Sequence, residues 1–158
     1  MRLTCMTLAA ALIASAACAE EVAPDQVHYS EYGEVETSLS GQPGDAERGR
    51  KVFGTKSMGN CVSCHAVSQL SDVPFQGEVG PELSGVGEYR TAPELRGIVA
   101  NAKMTFEGSM MPSFYKTSGY IRPGDGFSGK AAKGPLPPLL SAQDVEDVVA
   151  FLMTLKES

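Results

Sequence analysis

The pentapeptide Cys61-Val62-Ser63-Cys64-His65 constrains this chain most, because it places two thiols and an imidazole within five residues. Three chemistries use two cysteines at this spacing: a structural zinc site, a redox-active dithiol and the covalent attachment of haem. A zinc site needs two further Cys or His ligands, and His28 is the only other histidine of the chain. A redox dithiol opens a helix in a βαβ unit, and no alternating strand pattern precedes Cys61.

Haem attachment accounts for all three residues. The thiols of Cys61 and Cys64 would add to the two vinyl groups of haem, and the adjacent imidazole of His65 would then lie under the iron. The pattern therefore predicts one covalently bound haem c per chain, with His65 as an axial ligand. Haem is attached in this way outside the bacterial cytoplasm, so the prediction requires export of the chain.

The N-terminus has the pattern of an export signal. Arg2 precedes an apolar run over residues 8–17, which ends in small residues around Cys18 and is followed by Glu20. The run is shorter than the about 20 apolar residues of a membrane-spanning helix, so we expect no membrane anchor. Residues 1–19 are predicted to be a cleaved signal peptide, which directs the chain to the periplasm. Two alternatives are an apolar N-terminal helix and lipid attachment at Cys18.

Length and charge narrow the remaining classes. A chain of 158 residues fits one compact domain, and 42% apolar with 20% charged residues is typical of globular proteins. With 13 Lys and Arg against 19 Asp and Glu, the formal net charge is −6. A negative chain repels phosphate backbones, so we expect no nucleic-acid partner.

Much of the negative charge lies in residues 20–44. This segment contains no Lys or Arg and six acidic residues, which are Glu20, Glu21, Asp25, Glu31, Glu34 and Glu36. It also contains Tyr29 and Tyr32, more aromatic surface than a solvated tail needs. Two interpretations remain open, an acidic arm that wraps a partner and a solvated tail. In either case we expect deletion of the segment to leave folding of residues 45–158 unaffected.

The sequence around one methionine favours it as the second axial ligand of the iron. Met111 directly precedes Pro112, which favours an extended backbone and disfavours a helix, as suits a thioether held out of a loop toward iron. Met58 lies too near the attachment motif to reach the opposite face of the haem. The remaining alternatives to Met111 are Met110, Met104, His28 and an open position.

The rest of the chain predicts helices and long loops. A C-terminal helix begins after Ser141, with Asp144 completing a capping box and one apolar stripe of Val145, Val148, Val149, Leu152 and Leu155. A second helix begins after Thr91 and places Leu95, Ile98, Val99 and Ala102 on one face.

A third helix is predicted from Asp45 to Phe53, with Gly54 as its C-cap glycine. Gly49 lies in its interior, which predicts close contact with another helix, most naturally the C-terminal one. Residues 116–138 are rich in Pro and Gly and are predicted to form a long loop. No segment alternates as a strand does, so the predicted fold class is all-α.

Residues 45–156 resemble the class I cytochrome c family in the order of their segments: an N-terminal helix, the attachment motif, Gly80-Pro81-Glu82-Leu83, a middle helix, a Met loop and a C-terminal helix. The resemblance implies a helical haem domain at residues 45–158, with an N-terminal extension. It also implies that the carbonyl of Pro81 accepts a hydrogen bond from His65, which would orient the imidazole and tune the iron.

Three stretches are similar to the SoxX family of monohaem subunits: VGPELSGVGEYRTAPELRGIVANAK, MMPSFY and SAQDVEDVVAFLMTLK. This resemblance implies an electron-transfer subunit of a heterodimer with a SoxA-like haem subunit. Such a complex oxidatively conjugates thiosulfate to a carrier-protein cysteine and passes electrons to a downstream cytochrome. The catalytic cysteine is expected on the partner, and no catalytic residue on this chain. Two alternatives stay open: a free mobile cytochrome, and a haem enzyme or gas sensor with an open axial position.

Overall fold

The computed structural model describes residues 20–121, 123–124 and 128–157. The predicted signal peptide lies outside the described residues. Four α-helices follow one another along the described chain: α1 (Ala46–Gly54), α2 (Val86–Tyr89), α3 (Ala92–Asn101) and α4 (Ala142–Thr154). A short 3₁₀ turn at Pro24–Gln26 precedes α1, and three more lie between the helices at Cys61–Ser63, Ser68–Leu70 and Ala102–Met104.

The predicted all-α class is confirmed. Within the residues that the structure describes there is no strand, and a single isolated bridge joins Gly124 to Ala131 in the long loop. None of the helices in this described part is long and apolar enough to cross a membrane.

The helices begin where the capping residues predict. The Thr91 side chain accepts from the backbone of Glu94 at the start of α3, and Ser141 accepts from Asp144 in the same way at the start of α4. Asp45 caps α1 by accepting from two backbone amides. Gly54 is part of α1 and Thr55 caps it, so the prediction of Gly54 as the terminating glycine is wrong by one residue. Helix α2 was not predicted, because four residues are too few to show a period.

The predicted contact of Gly49 with the C-terminal helix is observed. A Cβ at Gly49 would collide with the backbone carbonyl of Asp147 in α4, so only glycine allows the two helices to approach this closely. Phe53 and Phe151 extend the contact, with their ring centroids 5.5 Å apart. Arg48 adds an ion pair to fully buried Asp147, with 2.6 Å between Nε and Oδ2.

Helix α3 buries a different set of residues from the predicted stripe. Leu95 and Val99 are buried as expected, but Ile98 is only half-buried and Arg96 is buried. Arg96 lies inside because its guanidinium pairs with Glu146 of α4, with 2.8 Å between Nε and Oε1. An apolar period cannot reveal this arrangement, since it depends on an acid 50 residues away.

Residues 20–44 pack on the helices of the same chain. Val35 and Leu39 are buried in the main core, and Val22, Val27 and Tyr29 pack against it. Hydrogen bonds to its backbone hold the segment in place: Val35 N donates to Pro93 O at 3.0 Å, and the Tyr115 side chain donates from Oη to Val22 O at 2.7 Å. This packing contradicts the interpretation as a solvated tail and the expectation that folding does not depend on the segment.

Leu39→Ala is therefore expected to lower the free energy of unfolding by about 3 kcal/mol, since it removes a fully buried side chain and leaves a cavity. Tyr32→Ala serves as the matched control, because Tyr32 belongs to the same segment and is largely exposed. Urea unfolding of both variants measures the difference. Equal stability of the two variants would show that the segment does not contribute to the core.

Candidate haem site

The attachment motif folds as one tight turn anchored to α1. Cys61–Ser63 forms a 3₁₀ turn, and the amide of His65 donates to Cys61 O at 3.0 Å, which brings both cysteines and the histidine onto adjacent turns. Asn60 enters this turn in the left-handed region, at φ 50°. The preceding Gly59 donates to Val52 O at 3.1 Å, so the end of α1 fixes where the motif begins.

Residues 77–83 run beside the motif and are hydrogen-bonded to it. Gly77 N donates to Val62 O at 2.8 Å, Gly80 N donates to Cys64 O at 2.7 Å, and Leu83 N donates to Ala66 O at 3.0 Å. The acceptors are every second residue over 62–66, and the donors are every third residue over 77–83. They bring the Gly-Pro segment against the histidine of the motif.

Two neighbouring residues fix the imidazole of His65: Gly80 packs against one face of the ring, and Pro81 contacts one of its nitrogens. A Cβ at Gly80 would collide with three atoms of the ring, so the absence of a side chain there lets the backbone lie against the imidazole. The ring Nδ1 lies 2.8 Å from Pro81 O. A carbonyl can only accept, so Nδ1 carries the proton and Nε2 keeps its lone pair for a metal. The contact predicted between His65 and Pro81 is present.

The two cysteines of the attachment motif form no disulfide with each other and differ in their surroundings. Cys61 packs against the apolar core, and burial raises the pKa of its thiol to about 12. Cys64 lies beside the hydroxyl of Ser63, with 3.7 Å between sulfur and oxygen. The raised pKa disfavours the thiolate that a metal site at Cys61 would need.

The three candidate methionines differ in burial. Met111 is half-buried and packs against the core, whereas Met110 is 79% exposed and Met104 is 47% exposed. Only Met111 combines a fixed place against the core with the extended backbone expected before Pro112. His28, the other alternative ligand, is exposed on the N-terminal segment. The burial therefore favours Met111.

These residues fit a covalently attached haem. The donor set comprises two thiols, one imidazole with a free Nε2 and one thioether, which is the set that attaches a haem and completes its iron. Among the residues that the structure describes, no group of three or more His, Cys, Asp and Glu is arranged to hold a metal ion. The sequence did not reveal the role of Gly80, whose only signal was its place before Pro81.

Comparisons with known proteins agree with this chemistry. The family model described as Cytochrome c matches residues 46–156. The crystal structure of SoxXA from P. pantotrophus contains a chain that is 58% identical to this one, with a TM-score of 0.83. That match covers 87% of this chain and 99% of the other. Among curated proteins, none matches this chain.

The match confirms the likeness to SoxX that the sequence predicts, and the family model selects haem over zinc or a redox dithiol. The family implies a covalently bound haem c, which the motif at Cys61 and Cys64 is suited to hold. By its family model, its helical fold and its attachment motif, this chain belongs to the cytochrome c family.

Proposed function

We propose that this chain is the electron-transfer subunit of a heterodimeric SoxXA-like complex that oxidatively conjugates thiosulfate to a cysteine of a carrier protein. The observation that carries the proposal is the 58% identity to a chain of the SoxXA crystal structure over nearly the whole of that chain. The attachment motif and the His65 geometry supply the redox site that such a subunit needs. The partner would be a SoxA-like haem subunit.

We assign the site residues as follows. Cys61 and Cys64 would hold the haem through thioether bonds, His65 and Met111 would ligate its iron, and Pro81 would orient the imidazole. Support comes from the turn that brings the motif together, from the 2.8 Å contact between His65 Nδ1 and Pro81 O, and from the burial of Met111. Both sides of the iron would then be filled by the protein, as suits electron transfer without binding of a substrate.

The chain's own residues hold the redox site rigid. When bound, the haem supplies one-electron redox chemistry. Pro81 O accepts a hydrogen bond from Nδ1 of His65, which fixes the tautomer and the orientation of the ring. Gly80 supports the ring face, and the Cys61 sulfur is withdrawn from water in the core. A site that changes its geometry little between two oxidation states transfers electrons with little reorganisation.

The same assignments leave the described part of the chain without a nucleophilic sulfur. Conjugation of thiosulfate to a thiol needs a nucleophilic sulfur, and the two cysteines of the described chain would both be used in thioether bonds. His65 has no nitrogen left to act as a base, because one binds iron and the other donates to Pro81. The catalytic cysteine is therefore placed on the SoxA-like partner.

We place the complex in the periplasm, after cleavage of residues 1–19 as a signal peptide. We also propose an acidic segment at residues 20–44 ahead of a haem domain at 45–158, a division that the family match over 46–156 supports. The carrier protein that bears the substrate cysteine, and a downstream cytochrome that accepts the electrons, complete the proposed reaction sequence.

The isolated, fully haem-loaded chain should exchange one electron per molecule with redox dyes and should not conjugate thiosulfate. The assay mixes the chain with thiosulfate, an acceptor thiol and an oxidant, and compares it with the complex of both subunits. Conjugation by the isolated chain at the rate of the complex would place the active site here and overturn the proposal.

Two further measurements separate the alternatives. A free mobile cytochrome would purify from its native source without a second haem chain. An enzyme or gas sensor with an open axial position would change its optical spectrum with carbon monoxide under conditions in which a Met-ligated haem does not.

A further inference from the structure

The loop that carries Met111 is held by side chains that follow helix α3. Lys103, in the turn Ala102–Met104, donates from Nζ to the backbone carbonyl of Met111 at 2.6 Å. A charged donor makes a stronger hydrogen bond than a neutral one, and here it binds the very residue whose side chain is assigned to the iron.

A second contact fixes the other side of the Met111-Pro112 peptide. Ser113 donates from Oγ to Asn101 Oδ1 at 2.6 Å, and both side chains are partly buried. Tyr115 N then donates to Ala100 O at 3.0 Å and returns the chain to α3. The Met111 carbonyl and Ser113 are thus both bound to residues 101–103, one turn at the C-terminal end of α3.

The two side-chain contacts replace a backbone hydrogen bond that Pro112 cannot make. Pro112 has no backbone N–H, so the loop cannot close at that position with a backbone donor. The Met111 amide makes only a long contact of 3.3 Å to Ser109 Oγ. The orientation of the Met111 backbone, and with it the direction in which its side chain leaves the loop, consequently depends on the two side-chain contacts from residues 101–103.

We propose that Lys103 and Asn101 are positioning residues for the Met111 thioether. Lys103 holds the Met111 carbonyl and Asn101 holds Ser113, so the loop is preorganised and the thioether competes well against other ligands for the iron. The inference rests on the proposed ligation by Met111. It concerns residues that have no role in the attachment motif and that the sequence pattern did not single out.

The test measures how well added imidazole displaces the thioether from the ferric, haem-loaded chain. Lys103→Ala is expected to bind imidazole about fivefold more tightly, because the lost hydrogen bond to an exposed charged donor weakens the competing ligand. Lys103→Arg keeps a charged donor and is expected to restore most of the wild-type affinity. Lys51→Ala, an exposed position on α1, removes the same charge elsewhere and should change nothing.

Ser113→Ala tests the second contact and is expected to shift imidazole affinity in the same direction. The sulfur-to-iron charge-transfer band of the ferric protein should weaken in Lys103→Ala while the urea unfolding midpoint stays unchanged. A purely structural role of Lys103 would instead move the unfolding midpoint and leave the band and the imidazole affinity as they were.

The measurements distinguish an error in the positioning role of Lys103 from an error in the proposed ligation by Met111. If Met111→His loses the charge-transfer band while Lys103→Ala keeps the wild-type band and imidazole affinity, Met111 is a ligand and Lys103 does not position it. If the wild-type protein lacks the band, the ligation by Met111 is wrong and the positioning role falls with it.

Discussion

Replacing Met111 with His is expected to lower the reduction potential of the bound haem by on the order of 0.2 V, within the ~0.8 V range over which axial ligands set haem potentials. A thioether favours the ferrous state, whereas a second imidazole donates more strongly and stabilises the ferric state. A redox titration of the purified haem-loaded variant measures the shift. The iron should stay low-spin, and the sulfur-to-iron charge-transfer band should disappear.

The neighbouring methionine provides the matched control. Met110 is 79% exposed, so Met110→Leu is expected to leave both the potential and the charge-transfer band unchanged. An unaltered spectrum in the Met111 variant would exclude Met111 as a ligand. Loss of the band on changing Met110 would transfer the assignment to that residue. The Met110 side chain, which is exposed here, would then have to turn inward toward the iron once haem is attached.

The sequence predicted the helices that have local signals. Thr91 and Ser141 each stand three residues before an acid that completes a capping box, and both boxes are present in the structure. Gly49 was informative because glycine inside a helix needs a reason, and α4 supplies it. Signals of this kind act over a few residues, so they can be read without knowing the tertiary structure.

The N-terminal segment could not be predicted in this way. Val35 and Leu39 are buried without helical or strand periodicity around them, because the segment follows the surface of α3 and α4 as irregular chain. Its acidic composition suggested exposure, and the acids are indeed mostly on the surface. Its backbone at Leu39 and Val35 is hydrogen-bonded to Glu146 and Arg96, a charged pair that is distant in sequence.

The residues of the haem site also divide into those with a local sequence signal and those without one. Cys61, Cys64 and His65 could be recognised because their chemistry requires adjacency in the sequence. Pro81 followed only from family resemblance, since nothing in its neighbourhood indicates that its carbonyl meets an imidazole 16 residues away. The contacts of Lys103 and Asn101 with the Met loop depend on the path of the chain after α3, which no local pattern encodes.

Glu146→Ala is expected to lower the free energy of unfolding by about 3 to 5 kcal/mol, the usual cost of leaving a buried charge without its partner. The Glu146 carboxylate accepts from Leu39 N at 2.7 Å, and from Nε and Nη2 of Arg96 at 2.8 and 3.0 Å. Arg96 Nη1 also donates to Val35 O at 2.7 Å. Removing the carboxylate therefore releases Leu39 N from α4 and leaves the charge of Arg96, a residue that is only 9% exposed, without its partner.

Urea unfolding measures the loss for Glu146→Ala, with Glu107→Ala as a control because Glu107 is exposed. Hydrogen exchange should show faster exchange at Leu39 and Val35 before global unfolding.

The double variant Arg96→Met with Glu146→Leu removes both charges and should lose less free energy of unfolding than Glu146→Ala, since no charge is then buried alone. Recovery would stay incomplete, because Leu39 N and Val35 O lose their partners. A loss below about 1 kcal/mol in Glu146→Ala, within the range of exposed pairs, would mean that water reaches Arg96 and that apolar burial alone holds the segment.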